Sequence, residues 1–114
     1  HVLIIEDEPL LALEVEAVLA EVGASTFDVA STQDRAIELA RRNPPALITS
    51  DVRLAVGRGP EAVEMIRAQL GGIPVIFITG SPEECQRCGD AAAILGKPFV
   101  PERLQQLFRS LELV

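Results

Sequence analysis

Tryptophan and tyrosine are absent from the 114 residues, phenylalanine occurs four times and methionine once. A core must therefore come from Leu, Ile, Val and Ala. They suffice, because 48% of the chain is hydrophobic. A single domain of this length buries roughly two-thirds of the surface of its unfolded form. Histidine occurs once, at His1. Without an internal imidazole the chain cannot build a Ser-His-Asp or Cys-His site, and it cannot be a phosphohistidine carrier. Cysteine occurs twice, as Cys85 and Cys88. There is no second pair, so thiols and imidazoles cannot complete a four-ligand zinc site. Two reduced thiols on or near a short helix are expected instead. No apolar run approaches the roughly 20 residues of a membrane span, and no signal peptide is visible. A cytoplasmic location is expected. The chain begins at His1 rather than Met and is expected to be trimmed or a piece of a longer protein.

Positive charge is scarce as well. Ten Lys and Arg stand against 17 Asp and Glu, for a net charge of −7. Direct nucleic-acid binding normally needs a basic face, so neither that nor binding to an anionic membrane is expected.

What is present is a regular alternation. Val2-Leu3-Ile4-Ile5 is a continuous apolar run, as in a strand buried on both faces. Pro9 suits a first helical turn, and Leu11, Val15, Val18, Leu19 and Val22 follow at helical spacing up to Gly23. Residues 25–30 read as a second strand. Ser31 or Thr32 can cap the next helix, in which Ile37, Leu39 and Ala40 are apolar and which Asn43-Pro44-Pro45 breaks. Residues 46–50 form a third strand that ends at Asp51. Pro60 starts a third helix, whose predicted buried face is Ala62, Val63, Ile66 and Leu70. Residues 74–79 are the clearest strand. A short polar helix is predicted from Ser81 or Pro82 to near Gly89, a fifth strand over residues 92–95, and a last helix from Pro101 with Leu104, Leu107, Phe108 and Leu111 on one face. Five strand–helix repeats predict an α/β fold, a parallel sheet with helices on both faces.

Ligands of such sheets bind outside the carboxyl ends of the strands. There the sequence places Glu6 and Asp7, Asp51, Thr79 with Gly80, and Lys97 with Pro98. In the flavodoxin-like order 2-1-3-4-5 the first and third strands are neighbours, and three carboxylates converge. Clustered carboxylates need a cation or protonation. Mg²⁺ suits carboxylates, waters and a phosphate oxygen. Lys97 supplies a point charge and Thr79 a hydrogen-bond donor for a phosphoryl group. A carboxylate beside Mg²⁺ is a competent nucleophile toward phosphorus. Each residue alone also fits a helix start, a turn or a loop; jointly they share one edge of the sheet.

Val2-Leu3-Ile4-Ile5-Glu6-Asp7-Glu8-Pro9, Thr49-Ser50-Asp51, Phe77-Ile78-Thr79-Gly80 and Lys97-Pro98-Phe99 together resemble the receiver domains of bacterial two-component response regulators, over residues 1–114. The resemblance implies a five-stranded flavodoxin-like (βα)5 fold, Mg²⁺ dependence and phosphotransfer from a sensor histidine kinase or a histidine phosphotransfer protein. It makes Asp51 the phosphoacceptor and Thr79 the switch hydroxyl. Lys97 becomes the phosphate-binding lysine, and the bond to Pro98 is expected to be cis. Asp7 would hold the metal directly, Glu6 through water, and the Arg53 backbone carbonyl would add a ligand. Such a chain is no enzyme beyond its own phosphorylation and dephosphorylation. Phosphorylation would shift the segment after Gly80, a residue that leaves room for movement. The shift would alter the face of the fourth helix, fifth strand and fifth helix, which an output domain or protein partner would read. That face is also a candidate homodimer contact.

Departures from the family pattern are specific. Val52-Arg53-Leu54-Ala55 stands where many members carry Met-Pro. Ile94 takes the position of the aromatic rotamer switch and cannot swing inward as Tyr or Phe does. Arg53 is a long cation two residues after the acceptor; an exposed, solvated arginine is the default expectation, and contact with a phosphoryl group or a partner is the alternative. Phe77-Ile78-Thr79-Gly80 with this loop is similar to a receiver subgroup of proteobacterial stress and light signalling, some of whose members are joined to sigma-factor-like domains. The alternative function is a phosphorylation-independent interaction module on the same fold. A flavin or nucleotide site would need a glycine-rich loop after the first strand, where Glu6-Asp7-Glu8-Pro9 stands. A hydrolase would need an internal histidine or more metal ligands.

Overall fold

A computed structural model of the chain describes residues 1–82 and 89–113. Five strands form one parallel sheet in the order β2-β1-β3-β4-β5. They are β1 (Val2–Ile5), β2 (Phe27–Ala30), β3 (Leu47–Ser50), β4 (Val75–Thr79) and β5 (Ala93–Gly96). The helices are α1 (Pro9–Ala20), α2 (Gln33–Arg42), α3 (Gly59–Leu70) and α4 (Pro101–Ser110). The sequence-predicted helix between Ser81 and Gly89 falls mostly outside the described residues, and so do Cys85 and Cys88.

The apolar runs of β1, β3 and β4 follow from burial on both faces. One face carries Val2, Ile4, Leu47, Ile76 and Ile78 against Val15 and Leu19 of α1 and Leu104 and Phe108 of α4. The other carries Leu3, Ile5, Ile48 and Phe77 against Ala36 and Ala40 of α2 and Ala62, Val63 and Ile66 of α3. Alternation of side chains along each strand divides the two cores.

Helix starts match the local chemistry. Pro lies in the first turn of α1, α3 and α4. The Thr32 hydroxyl caps α2 by accepting the Arg35 N–H at 3.2 Å. Strands β3, β4 and β5 each start one residue later than expected, β5 also ending one residue later, and three further details differ. The second strand begins at Phe27 rather than residue 25, because Thr26 is the last residue before the ladder, where its carbonyl accepts the Val2 N–H at 3.0 Å. Leu70 is exposed rather than part of the α3 core face; it is the last residue of the helix, beyond the packed turns. α1 ends at Ala20, and Gly23, with φ of 111°, completes the turn that follows.

The register aligns the carboxyl ends. Ile5 pairs with Ser50, Ser50 with Phe77, and Thr79 with Gly96. Glu6, Asp51 and Lys97 each follow directly on a strand end, and Thr79 is one itself, so the ladder delivers them to one rim.

Candidate functional site

Backbone contacts fix Asp51 before its side chain is considered. Its N–H donates to the Ile5 carbonyl at 2.9 Å, and its own carbonyl accepts from Ser50 Oγ at 2.8 Å. Its carboxylate Oδ1 accepts the Val52 N–H at 2.7 Å, and Oδ2 accepts from Lys97 Nζ at 2.7 Å. Lys97 is placed by its own N–H, which donates to the Thr79 carbonyl at 2.9 Å. The Lys97–Pro98 peptide bond is cis, as expected. The ammonium also donates to Glu6 Oε1 at 3.0 Å and lies 3.8 Å from Glu8 Oε1.

Carboxylate oxygens of Glu6, Asp7 and Asp51 all lie within 4.8 Å of one another. One ammonium cannot neutralise three carboxylates. Burial pushes the Glu6 carboxyl up from 4.5 to about 7; the hydrogen bond from Lys97 opposes the rise and the charge of Asp51 adds to it. Lys97 is held above its ordinary 10.5. Burial works to lower it, and the hydrogen bonds to Asp51 and Glu6 outweigh that. An all-oxygen cluster with surplus negative charge suits a hard divalent cation. The donor set therefore fits Mg²⁺, with Glu6, Asp7 and Asp51 as the residues to hold it.

A cleft of about 410 Å³ opens over these groups, lined among others by Asp7, Asp51, Arg53, Thr79, Gly80 and Lys97. Thr79 is buried and its hydroxyl accepts the Ser81 N–H at 3.1 Å. Gly80 follows on the cleft wall, where an added Cβ would meet nothing within 4 Å. Glu6, Asp7, Asp51, Arg53, Thr79, Gly80 and Lys97 are thus brought together around the cleft. Ile94 is not: it lies along β5 beside Phe77 and is 40% exposed.

Two contributors escaped the sequence reading. Asp7 Oδ2 accepts the Ala55 N–H at 2.6 Å, so the loop after β3 is tied to the acidic pair. Gly59 opens α3 directly beneath the acceptor; its N–H donates to the Val52 carbonyl at 3.1 Å. A Cβ there would stand 1.8 Å from the Asp51 carbonyl oxygen. The glycine just before a helix-starting proline was the only available signal. The tie to Ala55 has none, since a backbone N–H is not encoded by its side chain.

A parallel sheet with an acidic pair, an aspartate, a hydroxyl and a lysine at its carboxyl rim defines a receiver. Residues 2–109 match the response regulator receiver domain family, and the chain belongs to it. It is 38% identical over 105 residues to the phyllosphere-induced regulator PhyR of Methylorubrum extorquens, covering 89% of this chain and 39% of that protein. The receiver domain of Erythrobacter litoralis PhyR superposes with a TM-score of 0.87 at 33% identity, covering 98% of this chain and 88% of that one. The receiver domain of the Pseudomonas aeruginosa sensor histidine kinase PA1611, which has a magnesium ion coordinated in its active-site cleft, gives a TM-score of 0.81 at 32% identity over 97% of this chain and 96% of that one. The chain spans between 39% and 50% of the length of the curated relatives it matches. Likeness to PhyR agrees with the stress-signalling subgroup expected from Phe77-Ile78-Thr79-Gly80. Among the described residues no helix is long and apolar enough to cross a membrane.

Proposed function

We propose that the chain is a phosphorylation-dependent switch that accepts a phosphoryl group on Asp51 from a sensor histidine kinase or a histidine phosphotransfer protein. The observation that carries this reading is the placement of Asp51: its Oδ2 lies 2.7 Å from Lys97 Nζ, and its carboxylate joins those of Glu6 and Asp7 within 4.8 Å. The Asp51 oxygen attacks phosphorus in line as the P–N bond to the partner's imidazole breaks, and the electron pair stays on the imidazole nitrogen. Lys97 sits close enough to transfer its hydrogen bond from the carboxylate to a phosphoryl oxygen. Thr79, on the same cleft, has a hydroxyl hydrogen to donate to another. Bound Mg²⁺ supplies charge neutralisation for the phosphoryl oxygens. Asp7, Asp51 and the Arg53 carbonyl are the residues for it, with Glu6 acting through water. The chain then catalyses only its own phosphorylation and dephosphorylation.

The readout follows from charge. A phosphoryl group adds about −1.5 to −2 charge and three acceptor oxygens. Thr79 accepts from Ser81 N–H, so reorienting its hydroxyl acts on the first residue of the segment leading to β5. An output domain or partner reading β5 and α4 would sense the change.

Incubation with Mg²⁺ and acetyl phosphate, read by intact mass, tests the acceptor. The wild-type chain should gain one phosphoryl group and Asp51→Asn none. Equal labelling of the two, or none of the wild type, refutes the proposal. Beryllofluoride with Mg²⁺ should shift the amide resonances of Asp51, Thr79 and Lys97 in wild type only.

A further inference from the structure

The loop between β3 and α3 is clamped at both ends of its span. On the cleft side Ala55 N–H donates to Asp7 Oδ2 at 2.6 Å. On the far side it rests on the first residue of α2. Gln33 Oε1 accepts the Arg58 N–H at 3.1 Å, and Gln33 N–H donates to the Val56 carbonyl at 3.3 Å. Thr32 and Val56 form an isolated parallel bridge. Gly57 takes φ of +88°, and an added Cβ would lie 2.5 Å from Gln33 Cβ. Gln33 therefore touches three consecutive loop residues.

Arg58 in turn faces Arg53 across a single antiparallel bridge, which the Gly59 N–H to Val52 carbonyl bond at 3.1 Å closes. Arg53 lines the cleft with Asp7 and Asp51. The contacts run from the Gln33 side chain to the Arg58 N–H and, through the backbone bridge, from Arg58 to Arg53, which lines the cleft beside the acidic rim.

The geometry points to Gln33 as a positioning residue for the metal: its side-chain carbonyl holds the β3–α3 loop so that the Arg53 backbone is presented to the acidic cluster. The inference rests on the proposed Mg²⁺ site and deepens it. A neutral acceptor suits the task, because the group it holds is a single amide N–H. Supporting partners of this kind typically change metal affinity about 10- to 100-fold when removed.

Gln33→Met keeps the length of the side chain and removes the acceptor; Gln33→Glu keeps an acceptor. In calorimetric titration with Mg²⁺, Gln33→Met should bind about tenfold more weakly than wild type, and Gln33→Glu within about threefold of it. At saturating Mg²⁺ the rate of Asp51 phosphorylation by acetyl phosphate should return to near the wild-type value in Gln33→Met, because the residue acts only through the metal. In the metal-free protein the Arg58 amide should lose protection from hydrogen exchange. A Gln33→Met chain with a wild-type cooperative melt and Mg²⁺ affinity within twofold of wild type overturns the role of Gln33 alone. Failure of the rate to recover at saturating Mg²⁺ also overturns it, since that marks a general disturbance of the fold. A wild-type chain that binds no Mg²⁺ sinks both this inference and the metal site beneath it.

Discussion

Gly59→Ala is the sharpest perturbation available outside the cleft. The added methyl would stand 1.8 Å from the Asp51 carbonyl oxygen, 2.3 Å from Ser50 Oγ and 3.0 Å from the Asp51 carbonyl carbon. Non-bonded carbon and oxygen meet at about 3.3–3.6 Å, so either the start of α3 or the Asp51 peptide must move by more than about 1 Å. Ser50 could rotate away; a backbone carbonyl cannot. Alanine recovers up to about 1 kcal/mol over glycine in a helix, while overpacking of this kind costs about 1–3 kcal/mol or more. With a clash against backbone, the upper end of that cost less the helix gain leaves a net loss of about 2 kcal/mol, which should lower the melting temperature by about 8 °C for a domain of this size.

With no Trp or Tyr to report by fluorescence, the melt is followed by far-ultraviolet circular dichroism. Gly72→Ala is the control, since a Cβ there meets nothing within 4 Å; it should stay within about 0.5 kcal/mol of wild type. Because the displaced group is the acceptor's own backbone, phosphorylation should suffer too. A misplacement of about 1 Å can cost roughly 100-fold in rate. If Gly59→Ala melts with Gly72→Ala and phosphorylates normally, Asp51 is not braced by α3 and the account of the site from below is wrong.

Lys97→Met removes the cation from Asp51 and Glu6 and should destabilise the metal-free protein at neutral pH by about 1–3 kcal/mol, less than a fully buried pair because the lysine is partly exposed. Denaturant midpoints of the two proteins at neutral pH should show the difference. Glu6 has a folded pKa raised from 4.5 to about 7, so the proton it keeps stabilises the fold fully below pH 4.5, and that contribution is lost as pH rises through 7. Metal-free wild type should therefore lose up to about 3 kcal/mol relative to Glu6→Gln between these limits; parallel pH profiles for the two would refute it. Thr79→Ala should still take up phosphate on Asp51, while the beryllofluoride-induced amide shifts along β5 become small; wild-type shifts along β5 would remove Thr79 from the readout.

The sheet was legible because buried parallel strands write themselves as unbroken apolar runs. Val2 to Ile5 is predicted and observed with the same ends. The rim of the sheet followed from the rule that functional groups stand after strand carboxyl ends, which places Glu6 and Asp51 by counting alone and Lys97 to within one residue. Exposed edges were less legible. Thr26 is β-branched and as fit for a strand as its neighbours, and only pairing decides that β2 starts at Phe27. Leu70 has the right spacing for a core residue but lies one turn past the last packed position, Ile66. Gln33 could not be found at all, since its partners lie 23 to 25 residues away and are backbone groups. Contacts made through main-chain N–H and C=O leave no trace in residue type.

The electrostatics of the rim and the exposure of Ile94 bear on the same question, how a charge added at Asp51 leaves the site. Lys97 spans Asp51 and Glu6 with hydrogen bonds of 2.7 and 3.0 Å. A phosphoryl group competes for that ammonium, and any weakening of the Glu6 contact falls on a buried carboxylate that one cation already neutralises incompletely. A ligand shifts a two-state element only by the difference in its contacts with the two states, and in the proposed switch that difference would fall on Lys97 and Thr79. Both belong to the strand ends that frame β5: Lys97 N–H is bonded to the Thr79 carbonyl at 2.9 Å. A pull on either is thus shared with the other through the backbone. Ile94, 40% exposed and not among the residues lining the cleft, need not rotate for that pull to reach the β5 edge. In the proposed switch, the main-chain link between Thr79 and Lys97 would do the coupling that an aromatic side chain performs elsewhere in the family.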